Sequence, residues 1–133
     1  NGKMTLYYDN QKANRSGTIL PRKEDWSNYK EEITKCVIDS SFAKLYPKNL
    51  SHFFAKWSNL KSIEGIENLN TSMVRDMSFM FSDCSSLTSL DMSNFNTSNV
   101  TDMRNMFSGC RNLMFIVASE KWRTSKVTKG NGM

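Results

Sequence analysis

Three cysteines, one histidine and two carboxylates at matching positions are the residues of this 133-residue chain whose types could do chemistry. Cys36, Cys84 and Cys110 contain no Cys-x-x-Cys pair, and a zinc site would need several of them to converge on His52, the single histidine. A Cys/His or Ser/His/Asp catalytic arrangement would have to recruit the same His52. Asp76 and Asp102 could hold a cation weakly if stacked, and Met77, Met80, Met103 and Met106 could offer soft thioether ligands. Each of these readings competes with a structural one, because most of the residues fall inside a duplicated stretch. "NTSMVRDMSFMFSDC" at 70–84 returns at 96–110 as "NTSNVTDMRNMFSGC". A near-copy at this distance is either a duplicated active site or one turn of a structure that repeats itself.

The elements positioning them follow from the period. Leu60, Leu87 and Leu113 mark successive starts, and Ile63, Leu90 and Ile116 follow each by three residues, a spacing of 26 or 27. Units of this length are too small to bury an apolar face alone, so neighbours stack into a continuous core. Within a unit, Leu87, Leu90 and Met92 alternate with Ser89, Asp91 and Ser93, which predicts a short strand. Val100, Met103, Met106 and Phe107 then lie at helical spacing, which predicts a short helix capped by Ser98 or Thr101. Asp76 and Asp102 suit that helix start, and the methionines read as core filler beside Phe81 and Phe107. Upstream, 48–60 is a worn copy with Leu50, Phe53, Phe54 and Trp57 in place of Met77, Met80, Phe81 and Cys84. Downstream, Trp122, Thr124 and Val127 begin a copy that stops at Met133, which leaves room for further copies in the natural protein.

Residues 1–57 do not repeat cleanly. "KMTLYYDNQKANRSGTIL" predicts a hairpin turning near Gly17, and "PRKEDWSNYKEE" a short helix with Trp26 and Tyr29 inward. "ITKCVID" is a third strand, with either Cys36 or Val37 facing the core. The expected organisation is an N-terminal cap with a degenerate first repeat at 1–57 and a solenoid at 58–133, one cooperative unit with its last repeat truncated.

Charge and composition narrow the function classes. The net charge of +5 sits on the flanks of the repeats and forms no stripe along them, which argues against nucleic acid as a partner. No apolar run reaches membrane-span length. Five Asn-x-Ser/Thr sequons, at Asn14, Asn49, Asn70, Asn96 and Asn99, arise largely from the repeated "NTS" and "NVT". Stacking would bring Cys84 and Cys110 to about 5 Å, within disulfide reach, but parallel side chains suit the S–S dihedral poorly. Free buried thiols are the expectation, and a redox bond is the alternative.

"LTSLDMSNFNTSNVTDMRNMFSGCRNL", preceded by "IEGIENLNTS" and followed by "KWRTSKVT", resembles the BspA-like leucine-rich-repeat surface proteins of bacteria. The related repeat of unknown function in bacterial surface lipoproteins is similar too. The resemblance implies an α/β, leucine-rich-repeat-like solenoid of strand/short-helix coils with a β-rich N-terminal cap. It further implies a cell-surface or extracellular location and adhesion or protein binding. It carries over no catalytic residue, cofactor or metal. Trp57 in the place of the family's cysteine and the broken last copy depart from its pattern.

The remaining candidate is the displayed strand face, with outward positions Ser62 and Glu64, then Ser89 and Asp91, then Phe115 and Val117 beside Met114. The expected function is a non-enzymatic interaction module for a protein or host-surface ligand. The alternative is a small inhibitor or effector that blocks a protein or nucleic-acid-binding site.

Overall fold

A computed structural model of the chain describes residues 2–7 and 29–132. Its strands are β1 (Lys3–Leu6), β2 (Lys35–Ile38), β3 (Ser62–Glu64), β4 (Ser89–Met92) and β5 (Phe115–Ala118). β1 pairs with β2 and β2 with β3, all in parallel, and β4 pairs in parallel with β5. From β2 onward the strands begin 26 or 27 residues apart, so each occupies the same place in successive sequence copies. Parallel pairing of neighbours requires the chain to travel a full circuit between them.

The ladder is interrupted between β3 and β4. Gly65, at the place of Met92, ends β3 one residue early in a left-handed conformation with φ +71. A Cβ there would meet the Ile38 carbonyl oxygen, so the chain turns against β2 at this point. The longer first copy is accommodated here, and the register recovers by Leu69, which is buried like its counterpart Phe95.

The opposite side of each circuit differs from the expected short helix. Among the described residues there is no α-helix; 3-10 turns lie at Ser40–Lys44 and Ile66–Asn68, and Tyr29 also has 3-10 conformation. Residues 50–57, 77–84 and 103–110 form chains of overlapping turns instead. Every second N–H bonds locally, as Met80 N to Met77 O, Ser82 N to Phe79 O and Cys84 N to Phe81 O. The intervening N–H groups donate across to the next copy, as Met77 N to Asp102 O, Phe79 N to Arg104 O and Phe81 N to Met106 O. An α-helix would have consumed those donors internally. Left-handed residues make the alternation possible: His52, Phe79 and Asn105 at one place, and Lys56, Asp83 and Gly109 at another, all have positive φ. The i, i+3 apolar spacing is real, but consecutive turns produce it as readily as a helix.

Both sides enclose one apolar interior. Phe54, Phe81 and Phe107 stack nearly parallel, with centroids 5.4 and 5.8 Å apart, and Met77, Met80, Met103 and Met106 are fully buried around them. Leu87, Met92, Phe95 and Val100 complete this interior from the strand side.

At the N-terminal end, β2 settles the register of "ITKCVID". Cys36 and Ile38 face the core, and Val37 is half-buried on the other side. β1 is part of the parallel ladder; the proposed hairpin's return strand, its Gly17 turn and the inward Trp26 lie outside the described residues. Tyr29, expected inward, is exposed in 3-10 conformation, and the turn after it leads to the buried Ile33; the expected short helix up to residue 28 lies outside the described residues.

Candidate interaction surface

The strand face is built by period-two alternation on a parallel ladder. On β4, Leu90 and Met92 point inward and Ser89 and Asp91 outward. On β3, Ser62 and Glu64 are exposed in the same manner, and Lys35 of β2 pairs with the Glu64 carboxylate at 2.5 Å. Ser93 holds the exposed Asp91 carboxylate below its ordinary pKa by hydrogen bonding, its N–H donating at 2.9 Å. β5 continues β4 in register, Ser89 opposite Phe115 and Asp91 opposite Val117. The face thus brings the candidate residues into rows, polar on β3 and β4 and apolar on β5. Met114 adjoins the last row, with its N–H bonded to Thr88 O.

β5 departs from the alternation in one respect. Ile116, expected inward with Ile63 and Leu90, is 43% exposed, and all four strand residues are exposed. Among the described residues no strand lies beyond β5, and β4 is its one strand neighbour.

The residues that could do chemistry are placed by repeat architecture. Cys84 Sγ donates to Phe54 O at 3.2 Å, and Cys110 Sγ to Phe81 O at 3.0 Å, each thiol tying its turn to the preceding copy. Burial pushes the Cys84 and Cys36 thiols up to about 12, and raises Cys110 as well. All three cysteines are free. His52 is exposed and stacks on Phe79 at 4.7 Å, on the outside of the turn region.

Asp76 and Asp102 do not start helices. They belong to a column, Asn49, Asp76, Asp102 and Lys129, linked by parallel backbone bridges. Each Asx side chain accepts from the N–H two residues ahead: Asn49 from Ser51, Asp76 from Ser78 and Asp102 from Arg104. Asp102, nearly buried, is balanced by Arg104 at 3.2 Å and Lys129 at 4.0 Å. Among the described residues no group of three or more His, Cys, Asp or Glu could hold a metal ion.

The "NTS" motif also has a structural use that sequence reasoning missed. Asn70 and Asn96 each accept from the N–H and hydroxyl of the serine two residues on. The buried Thr71 hydroxyl accepts from Asn96 N at 2.7 Å and donates to Asn96 O at 3.2 Å. Thr97 repeats this with Arg123 N and O, at 2.6 and 2.9 Å. The signal was the recurrence of Thr at the same place in three copies, as Thr71, Thr97 and Thr124.

The chain matches, over residues 40–133, the family described as "Mycoplasma protein of unknown function, DUF285". The chain belongs to that family. It is a family related to the BspA-like repeats, and the matched region spans all the repeats, the worn copy included. No curated protein and no solved structure matches the chain.

Proposed function

We propose that this DUF285 chain is a non-enzymatic interaction module, a leucine-rich-repeat-like solenoid of the BspA type with a β-rich N-terminal cap. It acts at the cell surface or after secretion, in adhesion or binding to a protein or host-surface ligand. The observation that carries this reading is the exposed strand face, on which Ser62, Glu64, Ser89, Asp91, Phe115 and Val117 are held in rows by a rigid backbone. The paired β4 and β5 rows, at a β-strand spacing of about 4.8 Å, present a preorganised surface and lower the ordering cost of binding. The chemistry-bearing residues are otherwise employed in the architecture: the Cys84 and Cys110 thiols bond main-chain carbonyls, and the Asx column caps turns.

The test is binding of the whole chain to immobilised epithelial surface glycoproteins. Saturable, salt-tolerant binding is expected, weakened about tenfold or more by Phe115→Asp or by Asp91→Lys. Absence of saturable binding, or indifference to both substitutions, overturns the reading. A second reading, an inhibitor or effector working through its basic flank, draws on the excess of Lys121, Arg123, Lys126 and Lys129 over Glu120 in the last copy, although Lys129 also pairs with Asp102. It predicts binding that collapses between low and moderate salt.

A further inference from the structure

Between the copy that begins at β3 and the copy that begins at β4, the chain is bonded on one side and open on the other. On the turn side the cross-copy bonds are complete: Met77 N to Asp102 O, Phe79 N to Arg104 O, Phe81 N to Met106 O and Asp83 N to Ser108 O, at 2.7 to 3.0 Å. The Thr71 hydroxyl adds its two bonds to Asn96. On the strand side, among the described residues, β3 pairs only with β2 and β4 only with β5. The main-chain groups left facing each other can be named. Lys61 N donates to Thr34 O, which turns Lys61 toward β2 and, by strand alternation, Ser62 and Glu64 toward β4. Met114 N donates to Thr88 O, which turns Thr88, Leu90 and Met92 toward β5 and leaves Ser89 and Asp91 turned toward β3. All four facing residues are exposed, so water can serve their N–H and carbonyl groups.

Two features oppose closure of this seam. After Glu64 the chain turns back on β2 instead of running on beside β4: Gly65 is left-handed against the Ile38 carbonyl oxygen, and Asn68 Nδ2 donates to the same oxygen at 2.9 Å. Glu64 and Asp91 also stand at the same place in successive copies, so a closed ladder would set two exposed carboxylates directly opposite each other. Like charges in that relation destabilise a strand pair. Lys35 engages Glu64 from the β2 side, and among the described residues no cation lies within ion-pair distance of Asp91.

We propose that this seam is a hinge: the panel of β1, β2 and β3 and the panel of β4 and β5 swing apart and together about the bonded turn side, and the like charges of Glu64 and Asp91 hold the seam open. Within each panel the ladder is continuous, so motion concentrates at the seam, where no strand bridge must break. Closure would join the five strands in one ladder and bring the Ser62 and Ser89 rows to strand spacing. The hinge belongs to the free chain. Its use, a cationic group of a ligand drawing Glu64 and Asp91 together, rests on the strand-face reading.

Hydrogen exchange of the whole chain, read amide by amide by NMR, tests the hinge without any ligand. The Glu64, Ser89 and Asp91 amides should be protected at least about tenfold less than those of Leu90 and Met92. Asp91→Lys places a cation opposite Glu64 and should raise the protection of the Glu64 and Ser89 amides about threefold or more. Leu90 and Met92 should stay within about twofold in that variant, which shows the fold intact. Asp91→Asn, which only removes the repulsion, should raise the same two amides in the same direction, and Asp91→Glu, which keeps it, should leave them within about twofold. Equal protection of Ser89 and Leu90 in the unsubstituted chain overturns the open seam. Glu64 and Ser89 amides that respond alike to Asp91→Lys, Asp91→Asn and Asp91→Glu overturn the part played by charge. These readouts are independent of glycoprotein binding, so failure of the hinge and failure of the strand-face reading are distinguishable.

Discussion

The inner copies and the last copy are written in nearly the same residue types, yet they differ in burial. Phe95 and Val100 are fully buried, while Trp122 and Val127, 27 residues later, are only half-buried. Thr97 is buried, and Thr124 at the same place is exposed. The residue type is thus permissive, and the presence of a neighbouring rung decides whether it is core. In stacked repeats stability resides in interfaces between units as much as within them.

The largest effect should come from Phe81→Ala. This ring lies between Phe54 and Phe107 at the centre of the stack, so its loss should cost about 3–5 kcal/mol in urea unfolding. Trp122→Ala removes a larger side chain, but one only half-buried against the core, and should cost clearly less than Phe81→Ala. Comparable losses at the two positions would abolish the distinction between inner and terminal rungs.

A second pair concerns the hydroxyl ladder. Thr71→Val leaves the Asn96 N–H without its 2.7 Å acceptor and should cost about 1–3 kcal/mol. Thr124→Val, exposed on the last rung, should change stability by less than about 0.5 kcal/mol. Thermal unfolding of both variants checks this.

The left-handed turn positions offer a smaller, signed test. Gly109→Ala should destabilise, because φ is +76 and the new Cβ would meet the Asp83 carboxylate. Asp83→Gly, at φ +59 and exposed, should be neutral or stabilising by up to about 1 kcal/mol.

The smallest effect is read by thiol chemistry. Cys36 and Cys84 should resist alkylation at pH 8 in the native chain, and Cys110, half-buried, should react first. Burial raises all three thiols, so the folded state holds these protons more tightly than the unfolded one. The contribution of Cys36 and Cys84 is fully present below about pH 9 and is lost as pH rises toward about 12. Stability measured between those values should fall with pH, and Cys84→Ala should flatten the slope.

The copies in the sequence identified most of the interior correctly. Val74, Met77, Met80, Phe81 and Cys84 agree with Val100, Met103, Met106, Phe107 and Cys110, and all but Phe107 and Cys110 of these are fully buried. Those two are half-buried. Difference between copies is a poorer guide to the outside: Ser78, which stands at the place of Arg104, is buried in the turn. A serine is small enough to sit inside where an arginine must reach out.

Residue pattern alone determined the period, the strand alternation and the inward residues, because apolar burial writes itself into spacing. It also carried the outward face of β3 and β4 and the apolar row on β5. Tertiary structure decided what links one copy to the next. Helix and turn chain share an i, i+3 apolar spacing, and only the destination of each N–H separates them. Phe79 gives no hint of its left-handed conformation, although Gly109 opposite Asp83 hints at the other one. Whether Ile116 is core or surface depends on a neighbour that its own residue type cannot specify.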